Sequence, residues 1–322
     1  MSSHNLCLFL VLLYLLAVPA AASYAGDRPL ETVLHQELDG GYIFSTGNST
    51  YSGPLEKDTR YKVAFDITLP DDTGVIYQRL YVYWAWSGLD QRPVLPDITF
   101  RGPEGSGLNL SNRYSDSKGF AGRNDFFSGM DAYETTPLSP GRNTLIFSVE
   151  NTAADNRSLV VQGMGLLTVY SSEEGKHAVC WVQEGADLLY SSHGITPEMA
   201  TAKMLFENCP DTGKVNSAHL RLVAPSGGYS MTDLPEKNSL AFNRGGESVL
   251  PSFIEAIIEK IFPGYNGKKW TDVFDSDEIN QIGVDKRDVI AYLRTGDNTA
   301  SVSDNKDYLQ LTNALLWAEV SE

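Results

Sequence analysis

Asp272, Asp275, Asp277 and Glu278 crowd one short stretch near the end of the chain. Hard oxygen ligands at such spacing suit a divalent cation, calcium above all. The competing reading is a solvated acidic edge. Just upstream runs Tyr265-Asn266-Gly267-Lys268-Lys269-Trp270. The faces of Tyr265 and Trp270, set among polar neighbours, could stack on sugar rings, or could cover the end of a helix. Cys180 and Cys209 remain once the N-terminal apolar run is set aside. In an oxidising exterior they could bridge, and a loop of that length would stabilise by about 3–4 kcal/mol on the chain-entropy estimate. Spacing leaves open the alternative of two buried free thiols.

Other chemistry is missing from the sequence. It contains neither G-x-S-x-G nor H-E-x-x-H, and His35, His177, His193 and His219 are scattered without metal-ligand spacing. Gly163-Met164-Gly165 begins like a dinucleotide loop, but Thr168 stands where the third glycine belongs and the segment leads into a strand. Asp116, Asp125 and Asp131 form a looser acidic group in the first half. Paired carboxylates can hydrolyse glycosides, but among 41 acidic residues such pairs arise freely. The expectation is a protein that is not an enzyme, with no cofactor beyond calcium. Lys and Arg number 25, for a net charge of −16. That balance argues against nucleic acid, which needs clustered cations, and against anionic membranes.

The elements that must position these residues read as strands. Tyr61, Val63, Phe65, Ile67 and Leu69 alternate with Lys62, Asp66 and Thr68, the pattern of a half-buried strand. Leu80 to Trp86 is apolar on both faces and predicts a central strand, with Leu80, Val82, Trp84 and Trp86 on one side. Leu30 to Phe44 reads as two strands broken at Asp39-Gly40-Gly41, and residues 101 to 130 as loops or short edge strands. One helix stands out. Ser252-x-x-Glu255 is a capping box, Phe253, Ile254, Ile257, Ile258, Ile261 and Phe262 share a face, and Pro263-Gly264 ends it.

An internal repeat orders these elements. Leu138-Ser139-Pro140-Gly141-Arg142-Asn143-Thr144 returns as Leu293-Arg294-Thr295-Gly296-Asp297-Asn298-Thr299. Gln36-Glu37 matches Gln183-Glu184, and Leu166-Leu167 matches Leu315-Leu316. The spacing of matched pairs grows between Phe242 and Leu293, where the helix lies, so the helix reads as an insertion. The expected fold is all-β: two tandem jelly-roll-like β-sandwiches from a duplication, with immunoglobulin-like topology as the alternative, at 26–172 and 173–322, with a short helix at about 252–262 in the second. Residues 1–25 read as a signal peptide. Leu6 to Val18 is apolar but shorter than the roughly 20 residues of a membrane span, and small residues follow. Export makes Asn48, Asn109 and Asn156, each in an N-x-S/T sequon, candidates for glycosylation.

Tyr81-Val82-Tyr83-Trp84-Ala85-Trp86, Trp181-Val182-Gln183-Glu184-Gly185-Ala186-Asp187 and Gly165-Leu166-Leu167-Thr168-Val169-Tyr170 resemble a family of secreted proteins of methanogenic archaea, known only as a domain of unknown function. The resemblance covers about Tyr42 to Val320. It implies an exported, duplicated β protein at the cell surface and brings no activity or functional residues. The chain lacks the C-terminal membrane tail of many archaeal surface proteins. Together these readings predict a non-catalytic envelope protein, without a transmembrane anchor, that associates with itself or with other envelope proteins. The alternative is a carbohydrate-binding module that uses Tyr265 and Trp270.

Overall fold

The computed structural model describes residues 28–87, 98–101, 108–118, 127–153, 157–192, 194–229, 234–245, 252–261 and 264–321. In chain order its strands are β1 (Glu31–Ser45), β2 (Pro54–Leu55), β3 (Arg60–Leu69), β4 (Gly74–Ser87), β5 (Ile98–Arg101), β6 (Asn109–Asp116), β7 (Phe127–Glu134), β8 (Gly141–Asn151), β9 (Leu159–Ser171), β10 (Lys176–Leu189), β11 (Thr201–Cys209), β12 (Val215–Pro225) and β13 (Asn238–Phe242). Helix α1 (Ser252–Ile261) follows, then β14 (Lys268–Thr271), β15 (Ile282–Asp288), β16 (Gly296–Asp304) and β17 (Leu309–Val320).

All the strand pairs are antiparallel. One 10-stranded sheet runs β15-β12-β17-β10-β1-β9-β4-β7-β6, with β2 added beside β9. A 3-stranded sheet, β3-β8-β5, and a 4-stranded sheet, β11-β16-β13-β14, complete the fold. The expected boundary near residue 172 falls between β9 and β10, and both belong to the large sheet.

The alternation of β4 explains the layering. Leu80, Val82 and Trp84 point to one core, with Val63, Phe65, Ile67 and Phe147 of the 3-stranded sheet. Tyr81 and Tyr83 point the other way, into a central layer with Cys180, Val182, Val223, Leu315 and Trp317. The second half repeats this division. Trp181, Leu220, Leu222 and Leu316 pack against Met204, Phe206, Leu240, Phe242 and Val302 of the 4-stranded sheet. The large sheet therefore turns back so that its two halves meet face to face, with a smaller sheet outside each. Packing on both faces leaves β4, β9, β10 and β17 buried over most of their length, their polar residues included.

Strand β1 makes the turn, and it is one strand, not two. Its residues from Glu31 to Gly40 pair with β10, and those from Gly40 to Ser45 pair with β9. The glycines that looked like a break are where the strand changes partner. A Cβ on Gly40 would sit 2.0 Å from the Tyr170 carbonyl oxygen, so only glycine fits there. Residues expected to be loop or edge form β6, which is an edge strand, and β7, which is buried inside the sheet. A 3-10 turn at Ile290–Tyr292 leads into the second of the repeated L-x-x-G-x-N-T segments.

The repeated L-x-x-G-x-N-T segments have the same local geometry. Gly141 and Gly296 both adopt left-handed backbone, at φ 85° and 84°. The Asn143 amide bonds back to the Ser139 N–H and C=O and to the Gly141 C=O, at 3.2, 2.7 and 2.9 Å. Asn298 makes the same three bonds to Arg294 and Gly296, at 2.8, 2.7 and 3.1 Å. A short side chain with both a donor and an acceptor closes each turn before the strand begins.

Candidate functional site

Polar groups concentrate inside the central layer and at one end of it. Glu184 of β10 is fully buried. Its carboxylate accepts the hydroxyls of Tyr77, Tyr81 and Tyr114 at 2.6, 2.9 and 3.2 Å, and Arg79 Nε lies 3.9 Å away. All four come from β4 and β6, so the interaction joins the first half of the chain to the second. Burial, then the Glu184 charge, pushes the Tyr77, Tyr81 and Tyr114 phenols up, which keeps them as donors.

Further along the same seam Lys118 is almost fully buried between Asp116, at 2.6 Å, and Asp187, at 3.0 Å. Asp116 also accepts the Leu188 N–H at 2.9 Å. The ends of β4, β6 and β10 and the starts of β7 and β17 converge here. Ser128 lies opposite Asp116 on β7, and its hydroxyl faces Tyr308. Trp86 donates its indole N–H to the Tyr308 hydroxyl at 3.2 Å, and Tyr190 meets the Tyr308 ring edge-on at 5.3 Å. Two residues later Gln310 is 2% exposed, and neither end of its side-chain amide has a hydrogen-bond partner.

Backbone strain marks the same place. Trp86 and Tyr308 both have positive φ, 54° and 63°, which costs a bulky side chain energy. This overturns the expected placement of Trp86 with Leu80, Val82 and Trp84. The pairing of β4 with β7 shifts register between Trp84 and Ser87, and Trp86 turns outward with 51% of its surface exposed. No sequence signal separates Trp86 from Trp84, because both sit at alternate positions of one apolar run.

The residues singled out in the sequence are less concentrated. Asp272 accepts the N–H groups of Glu236 and Lys237, both at 3.0 Å. Asp277 caps its own turn through the N–H groups of Ile279 and Asn280, which hold its carboxyl below the usual range. Asp275 and Glu278 are exposed. Among the described residues no three His, Cys, Asp or Glu side chains gather as a metal site. Asp131 is buried on Arg113 (2.8 and 2.5 Å), Trp84 (3.0 Å) and Tyr133 (3.2 Å), and Asp125 lies outside the described residues. Tyr265 is 65% exposed, whereas Trp270 is half-buried. Trp270 packs edge-on against Tyr292 at 5.8 Å, and the Arg287 guanidinium sits 5.9 Å from its ring.

Cys180 and Cys209 do not pair. Both are free and buried. Cys180 faces the central layer and Cys209 the outer core of the second half, on opposite sides of the large sheet. Burial pushes their thiols up to about 12 and about 11. Asn48 and Asn109 are exposed, and Asn156 lies outside the described residues, as does Leu6 to Val18.

On α1, Ile254 and Ile258 are half-buried, but Phe253, Ile257 and Ile261 are 66%, 54% and 62% exposed. The apolar helix face seen in the sequence is thus split between the protein and solvent. Among the described residues no helix is long and apolar enough to cross a membrane.

Residues 23–319 match the model of a family described as "Protein of unknown function (DUF3344)". No curated protein matches the chain. Among solved structures it is similar to the major capsid protein P2 from Bacteriophage PM2, at 9% identity over 88% of this chain and 98% of that one, with a TM-score of 0.20. It is also similar to a chain from the atomic structure of Sulfolobus Turreted Icosahedral Virus, at 13% identity over 84% and 91%, with a TM-score of 0.19. At these scores neither likeness carries an inference.

Proposed function

The chain belongs to the DUF3344 family of proteins of unknown function, and we propose that it is an exported, non-catalytic cell-surface protein that acts by self-association. The observation that carries this reading is the solvent-facing stripe of Phe253, Ile257 and Ile261, continued by Tyr265. At 1.5 Å per residue the helical part is about 12 Å long. The four side chains offer roughly 500 Å² of apolar surface, below the ~800 Å² per partner of a stable pair. Lys260, Lys268 and Lys269 stand beside the stripe in a chain of net charge −16, so a second copy offers it an acidic surface. Such a contact is weak alone and effective where copies are held close together, as in a surface layer.

The apolar N-terminal run supports export, and the sequons at Asn48, Asn109 and Asn156 then become glycosylation sites. The matching turns at Asn143 and Asn298 support duplication, with β1, β4 and β9 corresponding to β10, β12 and β17 and with α1 inserted in the second copy. In this reading calcium is a ligand of Asp272, Asp275, Asp277 and Glu278. The test is light scattering with electron microscopy on protein from Gly26 onward, with and without calcium. Assemblies lost in Ile257→Asp support the reading, and a monomer at high concentration in both conditions rejects it. A second reading, glycan binding at Tyr265 and Trp270, is favoured by the exposure of Tyr265. Retention on a polysaccharide, abolished by Trp270→Ala, tests it.

A further inference from the structure

We infer that Lys118 and Asp187 condense in the folded protein to a side-chain amide, with Asp116 moving the proton, so that the two halves of the chain become cross-linked. The three side chains are buried together, Lys118 with 2%, Asp187 with 0% and Asp116 with 1% of its surface exposed. Lys118 Nζ lies 3.0 Å from Asp187 Oδ1 and 2.6 Å from Asp116 Oδ2. Lys118 follows the end of β6 and Asp187 belongs to β10, so the pair is 69 residues apart in sequence. The register of β10 against β17 shifts between Glu184 and Asp187, the kind of irregularity that re-aims a side chain.

An ordinary ion pair is a poor account of this arrangement. One ammonium faces two carboxylates away from water, and Arg28 stands 3.8 Å from Asp116 with 63% of its side chain exposed. Buried charges are costly unless they are balanced. Amide formation removes the ammonium and one carboxylate together. The charge that remains is on Asp116, whose oxygens accept the Ser117 N–H at 2.8 Å and the Leu188 N–H at 2.9 Å. Backbone donors of this kind fix a carboxylate in place. They suit Asp116 to carry protons and leave Asp187 as the carboxyl that reacts.

The step balances as a dehydration. Lys118 passes a proton to the Asp187 carboxylate, giving an amine and an acid. The Nζ lone pair attacks Asp187 Cγ, the Nζ–Cγ bond forms, and the carbonyl π pair moves onto oxygen. Asp116 takes a proton from the nitrogen and delivers it to the Asp187 hydroxyl oxygen, a transfer within the reach of a general base. The Cγ–O bond breaks, its electron pair leaves with water, and the oxyanion closes to the amide carbonyl. Between separate groups in water this condensation is uphill. Groups held in contact react at an effective concentration on the order of 10⁵–10⁸ M, and a dry site keeps water from reversing the step. Neither Cys180 nor Cys209 supplies a covalent tie. An amide does, and reductants leave it intact.

Intact-mass spectrometry of the denatured protein tests this. The wild type is expected to be lighter by one water than its sequence requires, whereas Lys118→Arg and Asp187→Ala should have full mass. A digest of the wild type should hold one branched peptide that joins the segments of Lys118 and Asp187, with fragment ions placing the link on those two residues. Asp116→Asn should leave most of the protein unlinked, and linkage as complete as in the wild type overturns the role given to Asp116. A wild type at full mass overturns the inference. So does a lost water traced to a backbone succinimide at Asp39-Gly40, or one that persists in Lys118→Arg. Because the branched peptide is sought in the wild type, a variant that fails to fold leaves the test intact.

Discussion

The Tyr77 hydroxyl donates to the Glu184 carboxylate at 2.6 Å, joining two strands whose residues lie 107 apart in the chain. Tyr81 and Tyr114 add two further donors to the same carboxylate. This contact fastens the two halves of the folded-over sheet. Glu184→Ala leaves the Tyr77, Tyr81 and Tyr114 hydroxyls without this acceptor and takes the nearby carboxylate from Arg79, and should destabilise by about 3–5 kcal/mol. Glu184→Gln, which keeps an acceptor, should cost less. Denaturant unfolding measures both, and equal losses would mean that packing, not the polar contact, sets the cost.

The two repeated turns should not be equally important. Asn143 is half-buried and serves only its own turn. Asn298 is fully buried and also accepts from the Asn243 amide at 2.6 Å. Asn143→Ala is expected to cost about 1 kcal/mol and Asn298→Ala about 2–3 kcal/mol. Thermal melts of the two variants give the comparison, and the reverse order would show that burial does not govern these turns.

Asp307 should make stability depend on pH. Burial raises its carboxyl from 3.8 to about 6, with the Asp304 charge adding to the rise and bonds from Gly228 and Asn238 opposing it. The folded state therefore holds this proton more tightly than the unfolded chain does. Its stabilising contribution is complete below pH 3.8 and is lost as pH rises through about 6. Asp307→Asn should be the more stable protein near pH 7, by at most about 3 kcal/mol, and the gap should close by about pH 4. Urea unfolding across that range decides, since a gap that does not change with pH would place the proton elsewhere.

The thiols give a chemical check on the fold. With both pushed above the ordinary value of 9.0 by burial, little thiolate exists at neutral pH. Cys180 and Cys209 should resist alkylation in the native protein and both react once it is unfolded, without prior reduction. A reductant should leave the melting temperature unchanged. A disulfide-linked peptide in a digest would contradict the separation of the two cores.

Much of this protein is written locally. The alternation of β3, the two-sided apolar runs of β4 and β17, the helix at Ser252–Ile261 and the Gly-x-Asn turns all depend on neighbours in the chain, so periodicity and turn chemistry reveal them. The recurrence of the L-x-x-G-x-N-T segment is legible for the same reason, because it is a short run of residues. Only the tertiary structure decided that the halves share one sheet, since β1 carries no local sign of which strands it will join. It likewise decided that Trp86 faces solvent while Trp84 is buried, and that Cys180 and Cys209 face different cores. Those outcomes depend on a register shift and on which face of the sheet each side chain meets. The role of Glu184 is not legible in the sequence for the same reason: a buried polar residue is defined by the distant groups around it, and spacing along the chain says nothing of them.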